Sequence, residues 1–172
     1  MVRFIEWCNS ENMAVGAESV TVLTGNAANL AVGVQTTSAV VPEHYVSGER
    51  VARALRRLGR PNAAAMIEEK LPTTKSIRSG DLGEILATEW INEHGNGYQA
   101  PIKRLRWKDH RNMAMRGEDV IGLLVDPETQ RLFFLKGEAK SRVALTGQVL
   151  SEARAGLDTE RVNDFETAAL GL

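Results

Sequence analysis

Apolar positions in the first seventy residues come in short bursts. Ser19–Leu23 (SVTVL) is rich in β-branched residues, and the turn signal TGN follows it, which predicts a strand. Leu30–Val34 (LAVGV) and Ser38–Val41 (SAVV) predict two more short strands, interrupted by Pro42. From Gly48 the spacing changes. Val51, Ala54, Leu55 and Leu58 recur as on one side of a helix, with Ser47 placed to cap its start and Gly59 to stop it. Arg50, Arg53, Arg56, Arg57 and Arg60 fill much of the rest of that helix, as a solvated face or a protein contact in preference to an extension of a nucleic-acid-binding surface. Asn62 heads a second helical run, AAAMIEEKL, ended by Pro72, so the two form a helical hairpin.

Beyond Leu71 the pattern is denser. TTKSIRSG reads as a polar connector. A helix is predicted from near Asp81 to Gly95, with Leu82, Ile85, Leu86 and Trp90 as its apolar stripe. Glu84 lies off the centre of that stripe, in line with Ala87 and Ile91. Asp119–Val125 reads as a strand, DPETQ as a hairpin loop, and Arg131–Ala139 as the returning strand. Both strands are apolar at most positions, as expected of central strands covered on both faces. Thr146–Leu157 predicts a helix, and the tail from Asp158 a further one. The expected division is an α+β region over 1–71 and an α/β core over 72–172.

Composition narrows the classes. A chain of 172 residues, 43% hydrophobic and 25% charged, is that of a folded globular protein of one domain with a small appendage. Lys and Arg number 21 against 22 Asp and Glu, so any nucleic-acid surface must be a local patch. The single cysteine, Cys8, excludes an intramolecular disulfide and a multi-cysteine zinc site. No apolar run reaches the roughly 20 residues of a membrane helix, and the N-terminus is a poor signal peptide, so a cytoplasmic protein is expected.

One constellation carries chemistry. Antiparallel pairing of the hairpin sets the start of the first strand against the end of the second, which brings Asp119 beside Glu138 and Lys140. Glu138 and Lys140, two residues apart, share a strand face. Two carboxylates held close favour a shared proton or a bound cation, and with no Cys or His nearby the cation is a hard one, Mg²⁺ or Mn²⁺. Gly117 and Gly137 leave room there for a nucleic-acid backbone, or for a bulge.

The order of helical Glu84, strand Asp119, strand Glu138 and Lys140 resembles the PD-(D/E)XK nuclease superfamily. More narrowly, SGDLGEIL, MAMRGEDVIGLLVD and FFLKGEAKSR resemble the HamA nuclease subunit of the bacterial Hachiman anti-phage system, over roughly Pro72 to Leu157. The resemblance implies a restriction-endonuclease-like core, a central mixed β-sheet with flanking helices, and a metal-dependent DNA nuclease working with a helicase partner, HamB. It assigns Asp119 and Glu138 as ligands of Mg²⁺ (or Mn²⁺), Lys140 as the catalytic lysine, and Glu84 as the helical acid that orients a water or contacts a second metal. The superfamily's proline before the first acid is replaced by Glu118, whose side chain should face away from Asp119. The alternative function is a non-catalytic nucleic-acid-binding or assembly module that keeps the nuclease fold.

Pro101–Arg116 supplies a basic patch leading into Asp119: Lys103, Arg104, Arg106, Lys108, Arg111 and Arg116, opposed only by Asp109. These cations are expected to neutralise DNA phosphates. Trp107, interleaved among them, is expected to pack into the core rather than stack on a base. His44, His94 and His110 show no pairing that suggests a metal site.

Overall fold

A computed structural model describes residues 2–157. The predicted helix in the tail beyond Asp158 lies outside the described residues. In chain order the elements are β1 (Cys8–Val15), β2 (Glu18–Gly25), α1 (Leu30–Tyr45), α2 (Gly48–Glu68), α3 (Lys75–His94), β3 (Val120–Val125), β4 (Leu132–Gly137) and α4 (Gly147–Leu157), with single 3₁₀ turns at Phe4–Glu6 and Arg104–Trp107. The fold is mixed α/β. Among the described residues, however, the strands form two separate antiparallel ribbons, β1–β2 and β3–β4, where a central mixed sheet was expected. The second ribbon is widened by one bridge, in which Gln99 and Leu123 exchange backbone hydrogen bonds of 2.9 and 2.7 Å. β3 thus has a neighbour on both edges, whereas the start of β4 is partly exposed on either side. Leu132, Phe133 and Phe134 are 45, 44 and 40% exposed, so this strand is not covered on both faces.

The two short strands expected over Leu30–Val34 and Ser38–Val41 are instead one helix, α1. Its β-branched content misleads because tertiary packing decides. Gly33, Val40 and His44 fall at helical spacing on the buried side, and Pro42 is carried inside the helix. The polar positions adapt too: the Thr36 and Ser38 hydroxyls donate to the Val32 and Val34 carbonyls one turn back. The expected helical pair over 48–71 is present as one bent element. Ser47 Oγ accepts from the Arg50 amide at its start, and Gly59, at φ 76°, turns the chain at the elbow. Helix α3 begins at Lys75, so the expected polar connector is mostly its first turn and a half.

Val2, Phe4, Val40, Tyr45, Val46, Ile85 and Leu105 form the main core cluster. It draws on the N-terminal segment, α1, α3 and the Arg104–Trp107 turn together. The N-terminal segment is pinned to α3, with Val2 N donating to Glu89 Oε2 and Phe4 N to Glu93 Oε2 at 2.9 Å. Trp90 meets Phe4 edge-on and stacks on His94, which fixes the C-terminal end of α3. Trp107, expected inside, is 64% exposed. Leu105, two residues earlier in the same turn, is the residue that enters the core.

Candidate active site

The inward side of α3 carries unusual chemistry for a helix in a core. Asp81, Glu84, Thr88 and Glu89 are buried there beside Ile85, while Leu82 of the expected stripe is 41% exposed. Each buried acid meets a cation from the segment 103–108. Lys103 Nζ lies 2.6 Å from Glu89 Oε1, which also accepts or shares a proton with His44 Nε2 at 3.0 Å. Lys108 Nζ donates to both Asp81 oxygens at 3.0 and 2.8 Å, and the Tyr45 hydroxyl donates to Asp81 Oδ2 at 2.6 Å. Burial raises the Tyr45 phenol well above its ordinary range, and the hydrogen bond to Asp81 adds to this. Burial also lowers the His44 pKa. For Glu89 burial works upward, but the bonds from His44 and Lys103 outweigh it and hold the carboxyl at about 2.

The third pairing differs. Arg104 Nη1 stands 3.9 Å from Glu84 Oε1 and 4.0 Å from Asp119 Oδ1, too far to bond either, and it is buried with no hydrogen-bond partner. Arg104 Nη2 donates to the Arg116 carbonyl at 2.6 Å, which fixes the guanidinium between the two acids.

The hairpin delivers the remaining groups as its register demands. Val120 pairs with Gly137, so Asp119 lies across from Glu138. Asp119 Oδ2 accepts the Ala139 amide at 2.8 Å, which ties the strand start to the strand end. Lys140 Nζ closes on Glu138 Oε1, although β4 ends at Gly137 and neither residue lies on the strand as expected. The other side of Glu138 is packed so tightly by α4 that a Cβ at Gly156 would come within 2.7 Å of the Glu138 carboxyl carbon. Helix α3 is drawn against the same strand end, where Ser79 and Ser141 share a hydroxyl hydrogen bond of 2.8 Å. Glu118 turns elsewhere, its Oε1 3.7 Å from Lys136 Nζ.

Glu84, Asp119, Glu138 and Lys140 therefore gather at one end of the β3–β4 ribbon. Burial, reinforced by Asp119 and Asp81 against the opposing pull of Arg104 and Lys108, pushes the Glu84 carboxyl up to about 7. Asp119 is also raised, chiefly by burial, although the Ala139 amide works the other way. Lys140 and Arg104 act on Asp119, and Arg104 and Lys108 on Glu84. The all-oxygen donor set fits a hard dication held by Asp119 and Glu138, with water or phosphate oxygens completing its shell. Among the described residues no three His, Cys, Asp or Glu side chains close around one point, so the fit is to two protein ligands.

The expected basic patch is arranged differently from a phosphate-facing surface. Lys103, Arg104 and Lys108 turn inward to acids, and Arg106 donates from Nε to the Glu43 carbonyl at 2.9 Å. Arg111 is half-buried and Arg116 exposed. Nor does Gly137 leave an opening for a nucleic-acid backbone, since Val120 and Ile91 occupy the space beside it. Gly117, at φ 90°, turns the chain beside the Arg104 guanidinium. The buried pairs on α3 escaped the sequence reading. Their signal was Asp81, Glu84, Thr88 and Glu89 standing at helical spacing where an apolar face was sought.

Comparison with curated proteins returns no match. The family model for HamA matches residues 3–170, nearly the whole chain, and the chain belongs to the HamA family.

Proposed function

We propose that this HamA-family chain is a metal-dependent DNA nuclease of Hachiman anti-phage defence, on a restriction-endonuclease-like core. The observation that supports this best is the hydrogen bond from the Ala139 amide to Asp119 Oδ2, which holds one acid beside the Glu138–Lys140 pair. Asp119 and Glu138 would hold Mg²⁺ or Mn²⁺, and a dication so placed polarises a phosphodiester and acidifies a water. Lys140, paired with Glu138 just beyond β4, would stabilise negative charge developing on the attacking oxygen or at phosphorus. Glu84, with its affinity for protons raised into the neutral range, receives a proton from the attacking water and orients it. Arg111 and Arg116 are the members of the basic stretch left to reach DNA directly. A helicase-like subunit is the proposed partner. No described helix is long and apolar enough to cross a membrane.

The test is nicking of plasmid DNA in Mg²⁺ or Mn²⁺. Cleavage should vanish in Asp119→Ala and in Lys140→Ala, and an activity that survives both substitutions refutes the assignment. A second reading, an assembly module keeping the nuclease fold, draws on the partial exposure of the apolar residues Leu132 and Phe133 of β4. It requires no cleavage even in Mn²⁺, with DNA binding indifferent to Asp119→Ala.

A further inference from the structure

The basic stretch 103–116 directs most of its charge inward, and the free cations lie elsewhere. On α2, Arg50, Arg53, Arg56, Arg57 and Arg60 are all exposed. None has a carboxylate within ion-pair distance, or a side-chain hydrogen bond, among the described residues. Before the elbow, Arg50, Arg53, Arg56 and Arg57 stand three and four residues apart, which sets like charges beside each other along the helix, an arrangement that opposes helix formation unless an anion relieves it. Arg50, Arg53 and Arg57 share one face. With Leu58, Met66 and one carboxylate, Glu49, they line a crevice of about 580 Å³ inside the elbow made at Gly59, where three cations outweigh one acid. Val51, Met66 and Ile67 pack onto the main core, so the elbow is anchored to the body of the protein.

We propose that the α2 elbow is a binding site for nucleic-acid phosphates, formed by residues apart from the carboxylate cluster. All five cations are arginines, whose planar forks suit phosphate oxygens in a bidentate manner that lysine cannot match. The apolar floor of Leu58 and Met66 suits sugars and base faces better than it suits the carboxylates of an acidic protein. The inference rests on the nuclease reading only for the choice of nucleic acid among polyanions.

The test uses the full chain carrying Asp119→Ala, so that cleavage does not intrude. Its anisotropy titration uses a short fluorescein-labelled DNA duplex, and the same strand unpaired, across a range of salt concentrations. Arg53→Glu with Arg57→Glu should weaken binding roughly tenfold or more and flatten the salt dependence by about two charges. Arg53→Gln with Arg57→Gln, checked for an unchanged melting temperature, should act in the same direction with a smaller loss. Unaltered affinity and salt slope in both double variants overturn the proposal, as does loss of poly-glutamate binding while DNA binding persists. Elbow-dependent binding with no Asp119-dependent nicking in the otherwise unaltered chain sustains the elbow and removes the nuclease reading. Nicking that persists with an indifferent elbow does the reverse.

Discussion

Arg104→Gln should expose the electrostatic design of the cluster. Arg104 Nη1 lies 3.9 Å from Glu84 and 4.0 Å from Asp119, with side-chain exposures of only 10% for Arg104, 10% for Glu84 and 21% for Asp119. At about 4 Å and an effective dielectric constant near 20, each pair is worth about 4 kcal/mol of Coulomb attraction. Desolvation of the three charges offsets much of that. Removing one partner of a buried group nevertheless leaves uncompensated charge, typically at a cost of about 3–5 kcal/mol. The geometry here is long and unbonded, so the expected loss is about 2–3 kcal/mol at pH 8, or a melting temperature lower by about 4–12 °C for a chain of this size. Urea denaturation of Arg104→Gln, Glu84→Gln and the double variant measures the coupling directly. The double variant should recover at least about 1 kcal/mol relative to the sum of the singles. Saturating Mn²⁺ should restore part of the loss in Arg104→Gln, because a dication at Asp119 and Glu138 replaces the missing positive charge. Strict additivity in the cycle, or a single variant as stable as the parent, would refute the role assigned to Arg104.

Acid should act on stability with opposite signs at different buried groups. The Glu89 carboxyl, held near 2 in the folded state, contributes stability that is complete above its unfolded value near 4.5 and is lost as pH falls through the window toward 2. His44, whose pKa is lowered by burial, works in the same direction at higher pH: the unfolded chain takes up that proton first, so stability begins to fall below about 6.5. Glu84, raised to about 7, works the other way: the folded chain takes up that proton first, so its contribution grows as pH falls from about 7 toward 4.5. In thermal melts between pH 8 and pH 3, Glu89→Gln should therefore remove the loss of stability below about 4.5, and a variant that keeps that loss contradicts the reasoning. Ile85→Ala, at 1% exposure, should cost about 2–5 kcal/mol, whereas Trp107→Ala, at 64% exposure, should shift stability by less than about 1 kcal/mol. Equal losses in the two, read from urea midpoints, would mean that Trp107 is packed after all.

What the sequence disclosed was local. The β3–β4 hairpin was legible to within two residues at each strand end because its turn is self-contained: Asp126 Oδ1 accepts the Glu128 amide and Oδ2 the Thr129 hydroxyl. Antiparallel register then follows, and with it the meeting of Asp119 with Glu138 and Lys140. Gly59 announced the bend in α2 for the same reason. Helix α1 was illegible because its apolar runs suit a strand or a buried helix equally, and the choice is made by partners distant in sequence. Trp107 was misjudged because its size argued for burial, while the 3₁₀ turn gives the core position to Leu105.

The basic stretch holds the deeper lesson, since its charge is a complement to α3 before it is anything else. Lys103 closes on Glu89 at 2.6 Å and Lys108 on Asp81 at 2.8 Å, so the segment runs antiparallel to the helix and matches cation to acid along it. Both closed pairs are structural in character: each acid has its cation and a further donor, and neither reaches the ribbon. Arg104 and Glu84 stand between them in the same series but remain 3.9 Å apart, because Arg104 is shared with Asp119. A fold built only for stability would close this pair as it closes its neighbours. The open one is the one that adjoins Glu138 and Lys140, and it keeps Glu84 short of the positive charge that would hold it ionised. On the proposed nuclease reading, the unclosed pair marks where the buried acids of α3 pass from scaffolding to chemistry.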